Sequence, residues 1–368
     1  MSSALRPAAR AWEGHAGLAE AAEDWTAVLA ASGADPFFHS PLWALAYAEA
    51  FVPAADVFGW TLRDEAGLSF AVLPFRREPA RGRFALRRAI LLLDGSFDGE
   101  YLDLVVRRGR EEEAAAAALD LLAARNDIEA VVLSGVPGTS PTLPALRAVL
   151  RHRRLPWRER AVPAGTAPLP ATFAAFLATL KPRMRSKVRS EEHRAQELGA
   201  ELAWCEDPAA LPRDLENLYE LHRRRWEAAG RPGSFADPRR RRLYDMLMPR
   251  LLAAGRLRFS RLALAGTPAA YQLGAVAGGT YYQLQEGYDP AGTDLRAGIA
   301  LRAWSIARLI EEGVTRYDFL GGLDRHKTDW GAVLRPTTTI AFALPRWRAR
   351  IAYGLRAWLD ARRSAAPE

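Results

Sequence analysis

Apolar positions recur at helical spacing over Leu18–Ser32 and stop before Gly33, which predicts a helix. Ser40 followed by Pro41 supplies a side-chain cap and a preset first residue, so another helix should run to about Phe51. Val57–Leu62 and Leu68–Phe75 are β-prone runs joined by the Asp64-Glu-Ala-Gly67 turn. Ala89–Leu93 and Tyr101–Val106 read as short strands, and Glu111–Arg125 as a helix whose acidic start suits its dipole. Ala130–Ser134 is a strand and Leu143–His152 a helix.

Pro163–Pro170 is rich in proline and marks the expected boundary. Beyond it, helices are expected at Thr172–Leu180, Met184–Leu198, Leu211–Ala229, Arg239–Ala254 and Ala297–Glu312. Strands are expected at Glu201–Cys205, Tyr317–Leu320 and Thr337–Leu344, with a three-strand meander at Leu257–Leu264, Ala269–Ala277 and Gly279–Tyr288. Helices and hairpins interleave without a regular βαβ rhythm, so the pattern predicts an α+β fold with a mixed sheet in each half. The expected division is 1–162, a linker at 163–171, 172–344, and a basic tail at 345–368.

A chain of 368 residues with 49% hydrophobic and 26% charged residues is long enough to bury its own core, which excludes a disordered chain or a rod. The single cysteine, Cys205, excludes intrachain disulfides and Cys-rich zinc frameworks, and no metal is expected. No run approaches the length of a membrane span, and Met1-Ser-Ser-Ala-Leu-Arg-Pro has no signal-peptide core, so a cytoplasmic location is expected. Residues 1–165 carry a net −2 and residues 166–368 a net +10, so an anionic ligand should bind the second half. Arg fills 48 cationic positions and Lys only three. The retained Lys181, Lys187 and Lys327 therefore point to places that need a compact ammonium.

Three segments could carry chemistry. Gly287-Tyr-Asp-Pro-Ala-Gly-Thr-Asp-Leu-Arg-Ala-Gly-Ile-Ala300 joins a strand to a helix beginning near Ala297. It is either an ordinary connection or an anion seat, with free amides at the helix start, Gly298 admitting a phosphate and Arg296 adding charge. It matches neither a P-loop nor a dinucleotide fingerprint. Tyr317-Asp-Phe-Leu-Gly-Gly-Leu-Asp-Arg-His-Lys-Thr-Asp-Trp-Gly331 presents Asp324, His326, Lys327 and Asp329 after a Gly-Gly step. That is either a turn with a polar helix start or a group that positions substrate and moves protons. The basic helix Lys181–Arg194 is a solvated face or a nucleic-acid surface, and no recognised RNA- or DNA-binding module accompanies it. Tyr219, His222 and Trp226 share one helix face and read as core.

In order along the chain, Phe37-Phe-His-Ser-Pro-Leu-Trp43, Leu180-Lys-Pro-Arg-Met-Arg-Ser-Lys-Val-Arg189, Leu221-His-Arg-Arg-Arg-Trp226 with Gly230, Tyr281–Tyr288, Arg296-Ala-Gly-Ile-Ala300 and Tyr317-Asp-Phe-Leu-Gly-Gly322 with Lys327-Thr-Asp-Trp330 resemble motifs of one family. It is the GNAT-superfamily acyltransferases of the CelD/BcsL-like type, related to the FemAB-type peptidyltransferases. The resemblance implies tandem GNAT-like domains, each a mixed, mostly antiparallel sheet flanked by helices, with the second binding acyl-CoA as co-substrate. Arg296, Ala297, Gly298, Ile299 and Ala300 would then hold the donor's pyrophosphate, in a loop one residue shorter than the family pattern. Glu286 is the first candidate for the base, with Asp318 and Asp324 as alternatives. Lys187, Arg225, Trp226, Tyr288 and Lys327 are the candidate substrate contacts.

The expected reaction moves an acyl group to an amine or hydroxyl of a small-molecule or lipid-linked acceptor, as in cell-envelope or polysaccharide biosynthesis. Two other readings stay open: transfer from aminoacyl-tRNA, as in FemAB-type relatives, and a non-catalytic binding subunit. Nucleic acid is not the expected partner, because no helical arm is inserted in the sequence. Past Pro345, Trp347, Ile351, Leu355, Trp358 and Leu359 form one apolar helical stripe among arginines. That helix either docks on the second domain or attaches peripherally to an anionic inner-membrane face.

Overall fold

The computed structural model describes residues 7–80, 85–94, 99–290 and 295–353. They form two compact units: one runs to Val162 and resumes at Pro336, and the other is Pro163–Arg335.

The first unit begins with β1 (Ala8–Glu13), α1 (Gly14–Glu20), α2 (Ala22–Ala30) and α3 (Pro41–Phe51). It continues through β2 (Val57–Arg63), β3 (Ser69–Glu78), β4 (Arg88–Leu91), β5 (Val105–Val106) and α4 (Glu111–Ala124). β6 (Ala130–Pro137), α5 (Thr142–His152) and the start of β7 (Trp157–Pro168) follow. The sheet order is β1-β2-β3-β4-β6, with β5 also on β3; β4 and β6 are parallel and the other pairs antiparallel. Ser40 caps α3 by accepting from the Trp43 amide, as its sequence predicts. Phe37, Phe38 and Trp43 are fully buried and pack ring against ring beneath it.

The second unit adds α6 (Phe173–Thr179), α7 (Pro182–Glu197), β8 (Glu201–Trp204), α8 (Leu211–Ala228) and α9 (Pro238–Ala253). Then come β9 (Leu257–Leu264), β10 (Thr267–Ala277), β11 (Thr280–Tyr288), α10 (Ala297–Glu311), β12 (Arg316–Gly321), α11 (Arg325–Asp329) and the start of β13 (Val333–Ala343). Its sheet order is β7-β12-β11-β10-β9-β8, antiparallel except for β11 with β12. Neighbouring residues on a strand face opposite sides. Tyr271 therefore reaches Asp214 of α8, while Ser260, opposite Gln272, meets Ser305 of α10. Helices cover both faces of this sheet.

The fold is α+β with mixed, mostly antiparallel sheets, as expected, and four details depart from the sequence reading. The helix expected over Leu18–Ser32 is two, separated at Ala21. The strand β1 went unforeseen because only Trp12 of its six residues is buried, so no alternation shows. The expected linker at 163–171 lies largely within β7, whose Ala164–Pro168 stretch pairs with β12. The strand expected to close the second domain instead pairs with β6 through Thr337–Ala343, so the chain returns to the first unit.

Residues 347–353 are helical, and Leu355, Trp358 and Leu359 lie outside the described residues. Trp347 and Ile351 stand 73% and 61% exposed, so this part of the stripe is not packed into the first unit. Among the described residues no helix is long and apolar enough to cross a membrane.

Candidate functional site

Strands β11 and β12 pair in parallel only over Thr280–Tyr282 against Arg316–Asp318. They then part. β11 carries an irregularity where its register with β10 skips Leu284. β12 turns away through Leu320, whose φ of 61° lies in the left-handed region. Two charged side chains hold that conformation. Fully buried Asp318 accepts from the Leu320 amide at 2.8 Å and from Arg335 Nη1 at 3.1 Å. Lys327 Nζ donates to the carbonyls of Leu320, Gly321 and Gly322. One ammonium ties three successive carbonyls of the turn together, which gives this scarce lysine a structural role.

The gap between the strands is bridged by Arg302 of α10, whose side chain is 2% exposed. Its Nη2 pairs with Glu286 Oε2 on β11, and its Nη1 donates to His326 Nε2 on α11 at 2.5 Å. Its guanidinium also lies against the rings of Phe319 and Trp330, 5.7 and 5.3 Å from their centroids. Glu286 takes two further bonds, from Arg225 Nη1 at 2.8 Å and Gln283 Nε2 at 2.9 Å. Tyr317 donates to Gln283 Oε1 at 3.0 Å, which fixes the direction of that amide. Burial pushes the Glu286 carboxyl up, but Arg302, Arg225 and His326 outweigh it and hold it at about 2. Burial and the Arg302 charge lower the His326 imidazole. Since arginine only donates, Nε2 of His326 is the acceptor and Nδ1 carries its proton.

Helix α8 supplies the other wall. A Cβ on Gly287 would stand 2.6 Å from the His222 amide nitrogen and 2.9 Å from the Leu218 carbonyl. Only glycine lets α8 lie this close to β11 and bring Arg225 to Glu286. The Arg225 guanidinium lies 4.7 Å from the Tyr288 ring and 5.5 Å from that of Trp226. Trp226 Nε1 donates to His222 Nε2 at 2.9 Å, which leaves the His222 proton on Nδ1. Burial, then the Arg225 charge, lowers this imidazole to about 4. It is neutral core, as its helical stripe predicts.

At the start of α10 the expected free amides are partly taken. Glu191, buried on α7, accepts from the Arg296 amide at 2.9 Å and lies 3.7 Å from Arg296 Nη1. The basic helix is therefore amphipathic: Met184, Val188, Glu191 and Ala195 face inward, and its cations face out. Lys187 is half-buried, and burial together with the charges of Arg296 and Arg183 pushes its ammonium down against the pull of Glu191. Ala297 and Ala300 are buried in the core, and Gly298 and Ile299 are half-buried. A Cβ on Gly298 would meet the Tyr288 ring at 3.1 Å.

The structure thus brings Glu286, Arg225, Trp226 and Tyr288 together at the open end of β11, with Lys187 and Arg296 near the start of α10. In this arrangement each of the candidate bases already has partners. Glu286 is locked between two arginines and is too acidic to collect a proton at neutral pH. Asp318 is enclosed, and Asp324 caps α11 by accepting from the Lys327 amide at 3.0 Å. Lys327 clamps its own turn rather than reaching outward. Arg302 was missed, though the sequence held a signal: an arginine in line with Gly298, Ser305 and Leu309 on an otherwise apolar helix face. Among the described residues no group of His, Cys, Asp or Glu is arranged to hold a metal ion.

Residues 182–328 match the family of the acetyltransferase (GNAT) domain. No curated protein matches the chain in sequence. Its fold is similar to that of FemX, at a TM-score of 0.62 and 13% identity, covering 86% of this chain and 95% of that one. It is also similar to the C-terminal domain of a putative lysylphosphatidylglycerol synthetase from Agrobacterium fabrum, with a TM-score of 0.54, 12% identity and coverage of 91% and 94%. The structure of L-PGS from Bacillus licheniformis is a third, at 0.53, 13%, 92% and 96%. Residues 182–328 thus belong to the GNAT domain family, within a chain whose fold is similar to that of FemX over most of both lengths.

Proposed function

We propose that the chain transfers an acyl group from a CoA thioester to an amine or hydroxyl. The parting of β11 from β12 directly before α10 carries this reading. A thioester lying along the open edge of β11 would meet amides released from strand pairing, and the donor's phosphates would meet Lys187 and Arg296. In this reading His326, whose Nε2 is taken by Arg302, would donate its Nδ1–H to the thioester oxygen as charge develops there. Glu286, Asp318 and Asp324 are each already engaged, so as the acceptor's N–H or O–H adds and the C–S bond breaks, its proton would pass to the departing CoA thiolate, and the weight falls on alignment and carbonyl polarisation. Arg225, Trp226 and Tyr288 form the side along which a small or lipid-linked acceptor approaches.

The FemAB-type relatives that the sequence resembles take aminoacyl-tRNA, and the likeness to FemX keeps that donor as the second reading. Against it, α8 and α9 pack on β9–β11 instead of projecting as an arm. Thermal unfolding with acetyl-CoA and longer acyl-CoAs decides between them. A ligand at a hundred times its Kd adds about 2.7 kcal/mol and raises Tm measurably. No shift with any acyl-CoA, together with salt-sensitive binding of aminoacyl-tRNA, overturns the first reading in favour of the second.

A further inference from the structure

We propose that the helix at 347–353 is a docking surface for an anionic lipid face. Trp347 and Ile351, 73% and 61% exposed, are the two most exposed large apolar side chains among the described residues. They lie four residues apart, on one side of the helix.

The opposite side is fastened down. Arg346 Nη2 donates to the carbonyls of Ala123 and Arg125 at 2.9 and 3.1 Å and to Asn126 Oδ1 at 3.2 Å. Ala349 is fully buried, and Arg348 Nη1 lies 3.2 Å from Glu129 Oε1. Arg158 stands 5.7 Å from the centre of the Tyr353 ring. A helix held this way cannot roll its apolar pair inward. The exposure of Trp347 and Ile351 is set by the fold.

Charge selects the occupant. At 100° per residue, Arg350 borders the apolar pair on the side away from Arg348, and it is exposed. The sequence beyond the described residues holds Arg356, Arg362 and Arg363 against the single acid Asp360, so the charge next to this helix is positive. A tryptophan next to an aliphatic residue, bordered by guanidinium groups, matches a headgroup layer above acyl chains. The ring sits at the interface and each arginine gains from anionic phosphate. This inference does not depend on which donor the second unit takes.

The test is co-sedimentation of the full chain with vesicles of phosphatidylcholine alone and of phosphatidylcholine with phosphatidylglycerol. The wild type should pellet with the anionic vesicles and be released by salt. The double substitution Trp347→Ser with Ile351→Ser should weaken partitioning roughly tenfold or more, because it removes the inserted apolar surface. It should leave Tm unchanged, since neither side chain contributes to the core. Arg350→Glu should weaken binding to anionic vesicles alone. Equal pelleting of the double variant and the wild type overturns the proposal, as does equal pelleting with both vesicle types. Self-association of the wild type that the double variant abolishes would make the patch a contact between copies and also overturn it.

Discussion

Glu286→Gln keeps the shape of the side chain and removes its charge, which leaves Arg302 buried without a counter-ion. Two independent routes give the size of the effect. The carboxyl sits at about 2 instead of its ordinary 4.5, because Arg302, Arg225 and His326 together overcome the opposing effect of burial. The charged form is therefore favoured in the fold by about 3 kcal/mol. Removing one partner of a buried ion pair costs about 3–5 kcal/mol. A compact unit of this size loses about 2–4 °C of Tm per kcal/mol, so a fall of roughly 6–20 °C is expected at neutral pH. The sign also fixes the pH window. The folded pKa lies below the unfolded one, so the wild-type advantage is complete above 4.5 and disappears as the pH falls towards about 2. Thermal unfolding of both proteins, followed by circular dichroism along that pH series, reads the gap directly. A gap under about 1 kcal/mol at neutral pH would refute the buried-pair reasoning. So would a gap that persists undiminished at the acid end, since the wild-type carboxyl is then neutral as well.

His222, neutral and lowered from 6.5 to about 4, binds a proton more readily unfolded than folded, so it should erode stability as the pH drops through that window. His222→Gln should flatten that part of the stability curve by an amount on the order of 3 kcal/mol, read from urea midpoints at several pH values. Lys327→Met keeps the length of the side chain but removes the ammonium shared by three carbonyls. It should lower stability by about 1–3 kcal/mol and speed amide hydrogen exchange at Leu320–Gly322, and unchanged exchange would deny the clamp.

Local chemistry was legible where one short segment decides the outcome. Ser40 with Pro41 announces α3, and Leu257–Leu264 has the bounds expected of it. The GNAT resemblance is matched by the family and the fold alike. What failed to show depends on partners far along the chain. Nothing in the alternation of β13 says that its mate is β6, about two hundred residues earlier, because a strand pattern records which face is buried and not which edge is paired. Glu191 looked like one more charge in a basic helix, yet it faces inward to the start of α10. Glu286 was chosen for its place at the end of a strand. Its partners there, Arg302 and Arg225, come from sixteen and sixty-one positions away.

The return of the chain to the first unit at Pro336 has a consequence for biosynthesis. Strand β6 leaves the ribosome roughly two hundred residues before the segment that pairs with it, Thr337–Ala343. Throughout that interval its edge offers unsatisfied amides and carbonyls to any neighbouring strand. The second unit, by contrast, has its strands and helices in hand once Arg335 has emerged. The part of the protein made first is thus completed last, and a nascent chain stalled before Pro336 would hold a finished second unit beside a first unit with an open flank.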